Sequence, residues 1–118
     1  MIGRRVLVAD DAVKTREPIQ SHLQKDGYQV FTARNGSEAV NIIRHRQLDA
    51  FIVGQPILEE VRLDPHTAHL NEMQMPIIVL LTNADGAEGA PDIEVGAAMR
   101  KPIDPCEMLS RVRGALRR

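Results

Sequence analysis

A three-layer α/β sandwich around a five-stranded parallel sheet is the fold this sequence predicts, and three observations predict it. Short apolar runs recur along the chain at RRVLVA (4–9), YQVFTA (28–33), DAFIVG (49–54), PIIVLLT (76–82) and AAM (97–99). The first, third and fourth are apolar on consecutive residues, as strands covered on both faces must be, whereas a half-exposed strand alternates. Segments of helical period separate the runs, and strand–helix alternation with right-handed crossovers gives a parallel sheet flanked by helices.

Taken in order, RRVLVA forms a central strand. The segment after it places Ile19 and Leu23 four residues apart and ends at Gly27, a good helix stop. Pro18 requires that this helix begin within about a turn of it. The second run is more mixed, as an edge strand is. The next helix starts near Asn35 and Gly36 and turns Ala39, Val40 and Ile43 inward. After the third strand, residues 55–75 are expected to hold an irregular lead-in and then a short helix from about Pro65 to Gln74, with Asp64 as its cap. Residues 83–96 are rich in glycine and contain Pro91, which cost about 1 and about 3 kcal/mol respectively in a helix interior. A fourth helix there is expected to be short or degenerate, a single turn around 92–95. The last helix opens with Asp104 as N-cap, Pro105 at its first position and Glu107 in capping-box register. The stripe Cys106, Leu109, Val112, Leu116 is expected to lie on the sheet, making Cys106 a small core residue. The strand order expected is the 2-1-3-4-5 of flavodoxin-like folds.

Composition narrows the function classes. The chain has 118 residues, which predicts a single domain over 1–118. Its formal charge is -1 with 26% charged residues, so direct nucleic-acid binding is not expected of this domain. The Arg-rich end RVRGALRR is read first as a helix terminus with cations against the dipole, and second as a contact for an acidic partner. One cysteine allows no internal disulfide and suits a reducing cytoplasm. No apolar run approaches the roughly 18 residues of a membrane span. The four histidines show no zinc-ligand spacing, and His66 with His69 is expected to be a solvated helix face.

In this kind of sheet, ligands gather at the carboxyl ends of the strands, beside the switch point between the first and third. The residues standing there are Asp10 and Asp11 after strand one, Gly54 ending strand three, Thr82 ending strand four, and Lys101 with Pro102 after strand five. VLVADD, GYQVFTARNGSEAV, PIIVLLT and KPIDPCEMLSRVR, in that order and at compatible spacings over nearly the whole chain, resemble the receiver domain of bacterial two-component response regulators. The resemblance implies that Asp10 and Asp11 are the acid pair that holds Mg²⁺, Thr82 the switch hydroxyl, and Lys101 the phosphate-gripping lysine followed by Pro102. It further implies an acceptor aspartate at the end of strand three and a switching aromatic on strand five. This chain has Gly54 at the first position and Ala98 at the second.

Glycine supplies no nucleophile for an in-line phosphoryl transfer. Asp49 lies five residues earlier, about 16 Å away at the opposite edge of the sheet, and cannot substitute. Glu59 and Glu60 could reach the site only if a loop swung them there, against an in-line tolerance of about 1 Å. Mg²⁺ binding at Asp10 and Asp11 is expected to be weak or lost, so no cofactor is assigned. Two carboxylates about 4 Å apart repel by about 4 kcal/mol at an effective dielectric of about 20. The absence of a third acid relieves that repulsion and leaves Lys101 able to pair permanently with Asp10 or Asp11.

The leading expectation is a non-enzymatic, cytoplasmic, phosphorylation-independent receiver-like module, a pseudo-receiver. It would act on a kinase, regulator or output domain, or as a homodimer. The alternatives are a receiver phosphorylated at an unorthodox residue and a small ligand- or nucleotide-binding protein. The last needs a glycine-rich phosphate loop after strand one, where ADDAVKT is acidic and has no glycine.

Overall fold

The computed structural model describes residues 4–67, 75–81, 97–101 and 103–116, with backbone alone for Leu81, Ala97 and Ala98. The elements are β1 (Arg5–Ala9), α1 (Val13–Lys25), β2 (Gln29–Ala33), α2 (Gly36–His45), β3 (Ala50–Gly54), α3 (Gln55–Leu63), β4 (Ile77–Leu81), β5 (Ala97–Arg100) and α4 (Pro105–Leu116). All pairings are parallel and the sheet order is β2-β1-β3-β4-β5. This is the flavodoxin-like order, and β2 is the mixed-character edge. The expected fourth helix within 83–96, with Thr82 and Pro102, lies outside the described residues.

The strands sort their side chains by parity, because successive residues point to opposite faces. Leu7, Ala9, Phe51, Val53, Ile77 and Val79 face α2 and α3, meeting Val40, Ile43, Ile57 and Val61 in one core. Val6, Val8, Ile52, Ile78 and Leu80 face α1 and α4, meeting Ile19, Leu23, Met108, Val112 and Leu116 in the other. Both faces of the central strands are buried, which is why their sequences carry no alternation.

The helix boundaries follow local chemistry. Pro18 sits in the second turn of α1, and the helix stops at a Schellman turn: Tyr28 N donates to Leu23 O and Gly27 N to Gln24 O. Gly27 has φ +93°, a left-handed conformation that glycine adopts without a Cβ penalty. Asn35 caps α2, its side chain accepting from Glu38 N. Asp104 Oδ1 accepts from Cys106 N at the start of α4.

Two expectations are corrected here. The third helix does not begin near Pro65; it begins at Gln55, immediately after β3, with Pro56 in its first turn. Proline is tolerated there because the first-turn N–H groups have no intrahelical acceptor, and Ile57, Leu58 and Val61 then form the buried stripe. Residues 64–67 form a turn in which Thr67 Oγ1 donates to Val61 O, and residues 68–74 are outside the described set. Cys106 is exposed, not a core residue. The buried face of α4 is Met108, Val112 and Leu116, at a spacing of four, which rotates Cys106 away from the sheet.

Candidate functional site

The carboxyl edge of β1 and β3 forms the site. The register runs Val6↔Ala50 to Ala9↔Val53, so Asp10 and Gly54 are the next pair along, on the face toward α1 and α4. Asp10 is only 1% exposed, a carboxylate placed where water cannot satisfy it. Its Oδ1 accepts from Ala12 N at 2.8 Å and from Lys101 Nζ at 3.0 Å. Its Oδ2 lies 2.8 Å from Lys101 Nζ as an ion pair, yet has no aligned hydrogen-bond donor among the described residues. Lys101 is itself mostly withdrawn from solvent, its side chain 19% exposed. Arg16, from the second turn of α1, donates through Nη1 to Asp10 O at 2.6 Å and holds the strand end down.

Gly54 decides what this pair occupies. A Cβ built on Gly54 would lie 2.8 Å from Asp10 Oδ2 and 3.5 Å from its Cγ. Real Cβ atoms essentially never come within 3 Å of another heavy atom, so the Asp10 carboxylate stands in volume that a side chain at position 54 would claim. A side chain at 54 would therefore require the Asp10 carboxylate to shift from its present place beside Lys101.

The other predicted residues fall apart from this pair. Asp11 is exposed and does not cap α1; Ala12 is the N-cap residue, and Asp10 makes the side-chain bond at that junction. Ala98 is on β5 with its backbone opposite Val79. Asp49 stands at the amino edge, its Oδ2 accepting from Arg5 N at 2.7 Å. Glu59 and Glu60 are on α3, not in a loop. Glu59 pairs with Arg62, and Glu60 Oε2 accepts from Gly36 N at 2.9 Å, at the positive end of α2. Arg16 and Gln55 escaped the sequence reading. A cation six residues after Asp10 on the following helix was the available signal for Arg16. Nothing marked Gln55, whose amide oxygen is buried with no donor among the described residues while its Nε2 donates to Glu59.

The donor set does not fit Mg²⁺ as arranged. The ion requires several oxygens in near-octahedral order. Here both Asp10 oxygens face the Lys101 ammonium, Asp11 is exposed, and position 54 offers no side-chain oxygen. Among the described residues no cluster of three or more His, Cys, Asp or Glu side chains is placed to hold a metal.

A doubly wound sheet in 2-1-3-4-5 order, with a buried aspartate meeting a half-buried lysine at its switch point, is a flavodoxin-like architecture with a charged site at its carboxyl edge. The family model of the response regulator receiver domain matches residues 6–113, and the chain belongs to that family. It is 32% identical over 97% of its length to the "Probable transcriptional regulator ycf27" of Guillardia theta, and 33% identical over 98% to the protein of that name from Cyanophora paradoxa. It spans about half of each of these relatives, 46% and 49%. Among solved structures it resembles a putative response regulator from Chloroflexus aurantiacus, with a TM-score of 0.78 at 25% identity over 98% of this chain and 99% of that one. The receiver domain of the sensor histidine kinase PA1611 from Pseudomonas aeruginosa, solved with a magnesium ion in its active site cleft, matches with a TM-score of 0.78 at 20% identity, covering 98% of this chain and 99% of that one. At that identity the likeness is one of fold.

Proposed function

We propose that this receiver domain of two-component signalling works without phosphorylation, as a non-enzymatic module that acts by contact with a protein partner. The observation that carries the reading is the position of Asp10 Oδ2, 2.8 Å from where a Cβ on Gly54 would stand and 2.8 Å from Lys101 Nζ. The lysine ammonium supplies the positive charge that a metal would supply, and the Asp10 carboxylate fills the space of the acceptor side chain. Among the described residues, both Asp10 oxygens are thus turned to Lys101 rather than left open to Mg²⁺ or a phosphoryl group, which supports the reading. Transfer to an unorthodox residue has little support, since Glu59 and Glu60 are committed to Arg62 and to the N-terminus of α2. An acceptor must stand in line with its donor, and either glutamate would first have to give up these contacts.

Intact mass after incubation with Mg²⁺ and acetyl phosphate tests the reading, with Gly54→Asp measured alongside. The native chain is expected to remain unmodified. Its acquisition of a phosphoryl group would overturn the proposal and direct the search to another acceptor. In the variant the new Cβ must displace the Asp10 carboxylate, and gain of one phosphoryl group would show that position 54 alone silences the site.

A further inference from the structure

Several described cations, Arg4, Arg5, Lys14, Arg16 and Lys25 among them, make no ion pair among the described residues, but of those unpaired only Arg44 and Arg46 line a described cleft. Arg34, Arg62, Arg111 and Arg113 each pair with a carboxylate. Arg44 and Arg46, at the end of α2 and just beyond it, have no ion pair among the described residues, and His45 between them is exposed. The helix dipole accounts for cations at positions 44 and 45, in the last turn. It does not account for Arg46, which has left the helix and lies with its guanidinium carbon 5.0 Å from the centroid of the Phe31 ring. A guanidinium stacked on a ring is held in place with its donor edge open, so it reaches a carboxylate at less entropic cost than a free side chain.

These residues rim a cleft of about 580 Å³ at the amino edge of the sheet, opposite the Asp10 pocket. Its apolar lining is Ile43, Leu48 and Met75, of which Leu48 and Met75 are only half-buried against the core. The acid in the lining, Asp49, already has Oδ2 engaged by Arg5 N. Apolar floor, basic rim and concave shape together select a ligand that carries an apolar side chain between carboxylates.

We infer that this cleft docks an acidic segment of a partner protein, with an apolar residue seated on Leu48 and Met75 and flanking carboxylates on Arg44 and Arg46. A nucleic-acid backbone fits less well, because phosphate tracking calls for an extended basic surface, and this chain has a formal charge of -1. The inference stands apart from the proposed function, since none of the cleft residues belongs to the Asp10 pocket.

Fluorescence anisotropy and amide chemical-shift mapping on the native chain test it, with three probes: a labelled peptide of glutamates flanking Phe-Leu, the same peptide with Ser-Ser at the centre, and a DNA duplex. The Phe-Leu peptide is expected to bind, to shift residues 44–49 and Met75, and to weaken by about tenfold or more in an Arg44→Ser, Arg46→Ser double variant. The Ser-Ser peptide is expected to bind far more weakly. Equal binding of the two peptides, tighter binding of the duplex, shifts on another face, or no binding of the Phe-Leu peptide would each overturn the inference. The double variant leaves Asp10, Gly54 and Lys101 untouched, so the phosphoryl-transfer result is the same whichever outcome appears here.

Discussion

Replacing Lys101 by methionine removes the ammonium that faces both oxygens of a carboxylate 1% exposed, while keeping most of the aliphatic stem. Removing one member of a buried ion pair leaves the other charge uncompensated and costs about 3–5 kcal/mol. The Lys101 side chain retains 19% exposure and Asp10 keeps its bond from Ala12 N, so the lower end, about 3 kcal/mol, applies. At about 2.1 cal/mol/K per residue, a domain of this size unfolds with an entropy of roughly 250 cal/mol/K, which converts that loss into a fall in Tm of roughly 12 °C. Thermal unfolding followed by circular dichroism measures it. Repeating the scan in about 1 M salt separates a buried pair from a surface one, because screening erases the latter and barely touches the former. Adding Asp10→Asn to Lys101→Met is expected to recover most of the loss, since the uncompensated charge is then gone. A Lys101→Met Tm equal to the native one at low salt would refute the reasoning, and with it the view that this pair stands in for metal and phosphate.

Two further tests address the frame around the site. Gly36→Ala should cost about 1–3 kcal/mol in urea unfolding, because a Cβ there clashes with the Glu60 carboxylate and comes 2.5 Å from the Glu60 Cβ. Gly114→Ala in α4, where a Cβ meets nothing within 4 Å, should instead stabilise by about 1 kcal/mol; equal effects at the two sites would contradict the α2–α3 contact. The Asp26–Arg113 pair, which ties the end of α1 to α4, predicts a pH dependence. The hydrogen bond from Arg113 holds the Asp26 carboxyl below its ordinary value of 3.8. The pair's contribution is therefore fully present above that value and disappears as pH falls through the lower folded-state value. The deficit of Arg113→Ala relative to the native chain should be constant from neutral pH down to the ordinary carboxylate range and shrink in stronger acid, and a deficit that grows on acidification would contradict the assignment.

The strands were readable because burial on both faces writes itself as consecutive apolar residues, and the short runs Val6 through Ala9 and Phe51 through Val53, rich in β-branched residues, favour a strand over a buried helix segment. The third helix was misplaced although its stripe was present. Ile57, Leu58 and Val61 have helical spacing, but Pro56 reads as a breaker unless the helix is already known to start at Gln55. A proline is a start signal or a stop signal according to a boundary that periodicity alone does not fix. On the last helix only one member of the expected stripe was misplaced: Val112 and Leu116 are buried and Leu109 packs against the same core, whereas Cys106 is exposed. Met108, four residues before Val112, takes the buried place that a three-residue spacing had given to Cys106.

At the site, the sequence shows two adjacent acids and a glycine but does not rank the acids. Strand parity does: Val6, Val8 and Asp10 share one face, and extending the register from Ala9↔Val53 sets Asp10 beside Gly54, while Asp11, beyond the end of β1, is exposed. What parity does not supply is the consequence of the missing Cβ. The present Asp10 carboxylate and a side chain at 54 exclude one another at 2.8 Å. An aspartate at 54 therefore cannot be added to the structure as it stands; it must first move the Asp10 carboxylate against its hold from Lys101 and Ala12 N. On the function proposed above, the absent side chain at 54 and the Asp10–Lys101 pairing belong together, so a side chain introduced at 54 has to shift the Asp10 carboxylate before the site can take up any phosphoryl chemistry.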